Sequence, residues 1–191
     1  MKRKDSHTVR VTVLVHDGFE ETEMIAPVDL LRRAGAEVTV VSMTGSRKMN
    51  GSHGICVMSD ALWEDFADAE KADCLFLPGG GQNSASLRND SRVTETVKRM
   101  FEAGKVVTAI CAAPTVLDRA GILSGKKVTS YPGCLTGGEY EYLTDAVVED
   151  GNIITGRGAG CAMEFGLALV GKLFGNDERR KLAENVIYTE A

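Results

Sequence analysis

Residues 106–114 read Val-Val-Thr-Ala-Ile-Cys-Ala-Ala-Pro. The run from Val106 to Ile110 is apolar or β-branched throughout, which predicts a strand buried on both faces. Pro114 suits the first turn of a helix, predicted here to reach Ala120. A strand covered on both sides belongs in a parallel sheet, and parallel strands need crossover connections, usually helices. Cys111 stands where this strand meets its helix.

The rest of the chain repeats the pattern. Val9 to Val15 predicts a strand, and Gly18 to Ala34 a helix closed by Gly35. Glu37 to Ser42 and Asp73 to Leu77 predict two more strands, the latter broken by Pro78-Gly79-Gly80-Gly81. Between them, Lys48 to Ser59 predicts a hairpin turning at Asn50-Gly51. Helices are expected over Ser91 to Ala103 and Ala162 to Phe174, with a further one at the polar C-terminus. Val128 to Ser130 predicts a short strand, and Ala146 to Glu149 with Ile153 to Thr155 a hairpin around Asp150-Gly151-Asn152. Strands alternating with helices make an α/β fold with a mostly parallel sheet. Its ligands are expected beyond the strands' carboxyl ends, after Val15, Leu77, Ile110, Ser130 and Thr155.

Composition narrows the function. The chain has 191 residues, 43% of them apolar, enough for one domain with a real core. Residues 9–191 read as that domain, and residues 1–8 as a flexible basic tail. The net charge of −5 argues against a dedicated nucleic-acid surface. No apolar run approaches the roughly 20 residues of a membrane span. Asp5, Ser6, His7 and Arg10 interrupt any signal-peptide core. Five scattered cysteines without a C-x-x-C pair fit a reducing, cytoplasmic setting and supply no metal cluster.

Cys111 is the sharpest candidate. At a strand-to-helix elbow a thiol meets backbone N–H groups and the positive end of a helix, which stabilise a thiolate. Cys56, Cys74, Cys134 and Cys161 read as packing residues. Glu23 comes second. It shares a helix face with Phe19, Ala26, Pro27 and Leu30, and burial there would raise its pKa and make it a proton carrier near neutrality. Glu20 and Glu21 read as solvated. The glycines after Leu77 allow close approach of backbone donors to an oxyanion. Gly156-x-Gly158-x-Gly160 reads as a close-packed corner rather than a dinucleotide loop. His16, after the first strand, reads as a lone surface histidine, with pairing to a cysteine nucleophile as the alternative.

Glu20-Glu21-Thr22-Glu23, Leu77-Pro78-Gly79-Gly80, Ala109-Ile110-Cys111-Ala112-Ala113-Pro114 and Gly156-Arg157-Gly158-Ala159-Gly160 occur in this order. Together they resemble the ThiJ/PfpI superfamily, in its parkinsonism-associated deglycase branch, over roughly Val9 to Leu173. The resemblance implies a flavodoxin-like three-layer sandwich, related to class I glutamine amidotransferase domains, and a homodimer. It implies a nucleophilic, oxidation-sensitive cysteine at Cys111, its acid partner at Glu23, and oxyanion donors at Gly80 and Ala112. Tyr131 stands where that branch commonly carries histidine, and Ala112 where its protease-like relatives do.

The resulting expectation is a cysteine enzyme acting on reactive dicarbonyls, converting methylglyoxal to lactate without metal, glutathione or other cofactor. Cys111 and Glu23 are its catalytic residues, and Gly80, Ala112 and Tyr131 its substrate contacts. The competing expectation is a redox sensor or chaperone whose cysteine is oxidised to sulfinic acid. A distant third is a peptidase or amidase using His16.

Overall fold

A computed structural model of the chain describes residues 7–66 and 69–189. Most of the basic tail lies outside the described residues, but His7 is placed, with its Nε2 2.9 Å from the Asp73 carboxylate.

The central strands are β1 (Arg10–Val15), β2 (Glu37–Ser42), β3 (Lys48–Asn50), β4 (Cys56–Met58), β5 (Ala61–Leu62), β6 (Cys74–Leu77), β7 (Val106–Ile110), β8 (Lys127–Val128), β9 (Glu141–Tyr142), β10 (Val147–Asp150) and β11 (Ile153–Gly156). Seven form one sheet in the order β10-β11-β7-β6-β1-β2-β5, parallel throughout except for β10. The helices are α1 (Glu21–Arg33), α2 (Gly81–Asn89), α3 (Ser91–Glu102), α4 (Pro114–Arg119), α5 (Ala162–Phe174) and α6 (Asn176–Asn185).

Alternation along the strands divides the core in two. Val11, Val13, Val15 and Phe76 face one layer with Leu30, Phe165 and Leu169 of α1 and α5. Leu14, Leu75, Leu77 and Ala109 face the other with Leu87, Val97 and Val116 of α2, α3 and α4. The expected three-layer α/β sandwich is therefore present.

Three local expectations need correction. The hairpin does not turn tightly at Asn50-Gly51: Asn50 pairs with Cys56, and the loop between them folds against α1. Lys127–Val128 pairs only with Glu141–Tyr142, outside the main sheet, so Ser130 does not end a central strand. Helix α2 was not anticipated, because Gly-Gln-Asn-Ser-Ala-Ser-Leu-Arg-Asn carries no apolar helical period.

Candidate functional site

Neighbouring strands β7, β6 and β1 deliver the three parts of the site at their carboxyl ends. Strand β7 leads directly into Cys111, whose φ of +64° is unusual for a residue with a side chain. Such backbone costs on the order of 1–3 kcal/mol and persists only where its surroundings enforce it. Here the Cys111 N–H donates to Gly156 O (2.9 Å), while Cys111 O accepts from Tyr131 N–H (2.8 Å). The elbow is thus held from both sides, and α4 follows with Pro114 in its first turn.

Strand β6 supplies Gly79 and Gly80. Neither position has room for a side chain. A β-carbon on Gly80 would stand 2.2 Å from Gly18 O, and one on Gly79 2.6 Å from Cys111 Cβ. Gly80 also has φ +95°, a region where glycine is at ease. The Gly80 and Ala112 amides both reach the Cys111 sulfur, so the two expected oxyanion donors are together.

The loop after β1 leads into α1, where Glu20 caps the helix by accepting the Glu23 N–H (2.7 Å). Glu23 is buried, 1% exposed, with its carboxyl group against Cys111 and the Gly79 amide. Its Oε2 has no hydrogen-bond partner among the described residues. Burial, outweighing the bonds from Cys111 and Gly79, raises Glu23 to about 7. The expected burial of Glu23 and its raised pKa are both found.

The expected acidity of Cys111 requires correction. The two amides favour the thiolate, but burial and the Glu23 charge oppose it more strongly and push the thiol up to about 12. The bend alone does not make this sulfur acidic. Thiol and carboxyl group are in contact and lose their protons as a pair, the first near 7. Two amides point at sulfur, whereas the Glu23 carboxyl group meets only that of Gly79, and its Oε2 has no hydrogen-bond partner among the described residues. That asymmetry favours the pair's single negative charge on sulfur, with the proton kept by Glu23.

Tyr131 touches the elbow through its backbone, while its side chain is 55% exposed. It lines a groove of about 560 Å³ with Pro132, Arg157, Gly158, Cys161 and Glu164. The close-packed corner is realised at Gly156, where a β-carbon would meet Phe165 and Ile110 at 2.8 and 2.9 Å. His16 donates its backbone N–H to Asn83 Oδ1 (2.6 Å), and its Nδ1 is buried without a hydrogen-bond partner among the described residues. The groups acting on the sulfur are Glu23, Gly80 and Ala112.

The remaining cysteines divide. Cys74 is buried within β6, and burial raises it to about 12. Cys161 bonds to the Gly158 and Ala146 backbone. Cys56 is exposed and does not serve packing.

Sequence reasoning missed Glu21. It is 5% exposed, not solvated, and its carboxylate binds the β3–β4 loop. The signal was non-local, since its partners lie more than 30 residues away. Glu20, Glu21 and His53 bring possible ligand atoms within 4.8 Å of one another, a cluster not visible in the sequence. The Glu21 oxygens are already engaged by this loop.

The DJ-1/PfpI family matches residues 9–172. Protein dj-1beta of Drosophila melanogaster is 37% identical over 178 residues, covering 92% of this chain and 95% of the fly protein. A crystal structure of Drosophila melanogaster DJ-1beta superimposes with a TM-score of 0.90 at 35% identity, covering 96% of this chain and all of that one. A Pyrococcus abyssi protein named a deglycase is 36% identical over 152 residues, covering 78% of this chain and 90% of its own length. With fold and sequence shared over nearly its whole length, the chain belongs to the DJ-1/PfpI family.

Proposed function

We propose that the protein is a cysteine-dependent enzyme that converts small reactive dicarbonyls to hydroxy acids, with methylglyoxal going to lactate. The observation that carries this reading is the contact between Cys111 and the buried carboxyl group of Glu23, with two amides aimed at the sulfur. The relative named a deglycase supports the same chemical class.

The steps balance as an isomerisation followed by hydrolysis. Cys111 sulfur adds to the aldehyde carbon, and Glu23 gives its proton to the resulting alkoxide, forming a hemithioacetal. The Gly80 and Ala112 amides steady the oxyanion as it develops. Glu23, now a carboxylate, takes the proton from the former aldehyde carbon and returns it to the neighbouring carbon, while the hydroxyl proton of the hemithioacetal passes to the former ketone oxygen. The product is a thioester of lactate. Water attacks it, lactate leaves, and the sulfur–carboxyl pair regains its starting proton. One water is consumed per methylglyoxal, with no net oxidation or reduction.

The amides at sulfur also favour a second reading, because they would hold a sulfinate formed by peroxide. Lactate production from methylglyoxal separates the two. Turnover abolished by both Cys111→Ser and Glu23→Gln supports the enzyme. Absence of turnover, with Cys111 gaining two oxygens under mild peroxide, supports the sensor.

The working unit proposed is a homodimer. Ile25 of α1 and Met58 of β4 are exposed and line one groove with Val28 and Val57. The arginines at the end of α1 already pair within the chain, Arg32 with Asp60 at 2.7 Å and Arg33 with Asp29 at 2.6 Å. Apolar surface is therefore what a second copy would cover. Sedimentation of the wild type and Met58→Lys tests this: a dimer that the charge splits is expected, and a wild-type monomer would refute it.

Among the described residues, no helix is long and apolar enough to cross a membrane.

A further inference from the structure

The loop between β3 and β4 is tied to the start of α1 more heavily than a hairpin requires. Glu21 Oε1 accepts the His53 N–H at 2.7 Å and the Ile55 N–H at 3.3 Å. Its Oε2 lies 3.0 Å from His53 Nδ1 and 3.3 Å from Ser52 Oγ. A β-carbon on Gly51 would stand 2.2 Å from Glu21 Oε1, so the backbone passes directly over the carboxylate. Further bonds continue the seam: Ser52 N–H to Phe19 O (2.8 Å), Gly18 N–H to Asn50 O (2.7 Å) and Asn50 N–H to Asp17 Oδ1 (2.7 Å).

The segment so gripped, residues 17–21, also abuts the site. Glu20 donates its N–H to Gly79 O (3.1 Å), and Gly18 O packs on Gly80. Glu20 caps the helix at the Glu23 N–H. The contacts therefore run without a gap from the loop, through the start of α1, to the Glu23 carboxyl group and the Gly80 amide.

We propose that Glu21 and His53 are positioning residues for Glu23: by clasping the loop to the first turn of α1, they hold the Glu23 carboxyl group against Cys111. This rests on Glu23 and Cys111 acting as a pair, but not on any particular substrate. The charged and titratable groups along the clasp are Glu21, His53, Glu20 and Asp17. Glu21 stays ionised, because bonds from the His53 side chain and backbone and from Ile55 outweigh its burial and hold it near 2. His53, exposed, is raised by its bond to Glu21.

The test is the pH dependence of Cys111 alkylation by iodoacetamide, which needs no dicarbonyl turnover. Glu21→Gln weakens the clasp and lets the Glu23 carboxyl group toward water. That group then gives up its proton more readily, and its charge opposes the thiolate. Alkylation at pH 7 should slow about three- to tenfold, with the midpoint of the profile moved upward. His53→Gln should shift it the same way by less. Because the effect passes through Glu23, E21Q/E23Q should alkylate at the rate of E23Q alone. A wild-type profile in E21Q, or an equal slowing in the E23Q background, overturns the proposal. Should E21Q fail to fold, H53Q decides, and an unshifted profile there overturns it. Shifted alkylation without lactate production would instead refute the substrate assignment and leave the clasp standing.

Discussion

The Glu23 carboxyl group lies so close to the main chain at Gly79 that a β-carbon there would stand 2.1 Å from its Oε2. Gly79 is the spacer that lets acid and thiol meet. Gly79→Ala should therefore force the carboxyl group away, destabilising the fold by about 1–3 kcal/mol, the range for a buried steric clash. Urea unfolding measures the loss. Wild-type stability would show that this contact is slack.

Removing the proton carrier should reduce turnover more than it harms folding. Glu23→Gln is expected to lower kcat for dicarbonyl conversion by about 100-fold or more, the usual contribution of a positioned acid–base group. In the wild type, kcat/KM should rise with pH through about 7, where the Glu23–Cys111 pair loses its first proton. That limb should be missing in Glu23→Gln. Steady-state kinetics from pH 5 to 9 provides the check.

The same ionisation has a stability signature of opposite sense. Glu23 is raised above its unfolded value of 4.5, so the folded chain holds more protons than the unfolded chain between 4.5 and about 7. Stability should fall as pH rises through that window and stay reduced above it. The loss amounts to about 3 kcal/mol at pH 8. Glu23→Gln should lack this slope in chemical denaturation at pH 4, 6 and 8.

Cys111 should also impose a conformational cost, because its φ is +64°. Glycine tolerates that backbone and alanine does not. Both substitutions abolish the chemistry, but Cys111→Gly is expected to be about 1 kcal/mol more stable than Cys111→Ala. Thermal unfolding of the two variants side by side tests whether the elbow is strained.

Much of this was legible because its causes are local. The Val-Val-Thr-Ala-Ile run becomes β7, and the cysteine after it becomes the elbow. Glu23 was recognisable because helical spacing puts it among apolar neighbours, and it is buried. The β3–β4 loop was not, since its shape is set by a carboxylate on α1 rather than by its own turn residues. Glu21 looked like its solvated neighbours for the same reason. The acidity of Cys111 was misjudged by weighing the helix end alone. Burial, and after it the charge of Glu23, oppose the thiolate, and both arise only after β1, β6 and β7 have paired.

The most direct test is to titrate thiolate absorbance near 240 nm in the wild type and subtract the same titration of Cys111→Ser. A single step near pH 7 is predicted, marking the first ionisation of the sulfur–carboxyl pair with its charge on sulfur. A difference signal that stays flat until strongly alkaline pH would contradict the account, because the sulfur would then be an inert thiol beside a carboxylate.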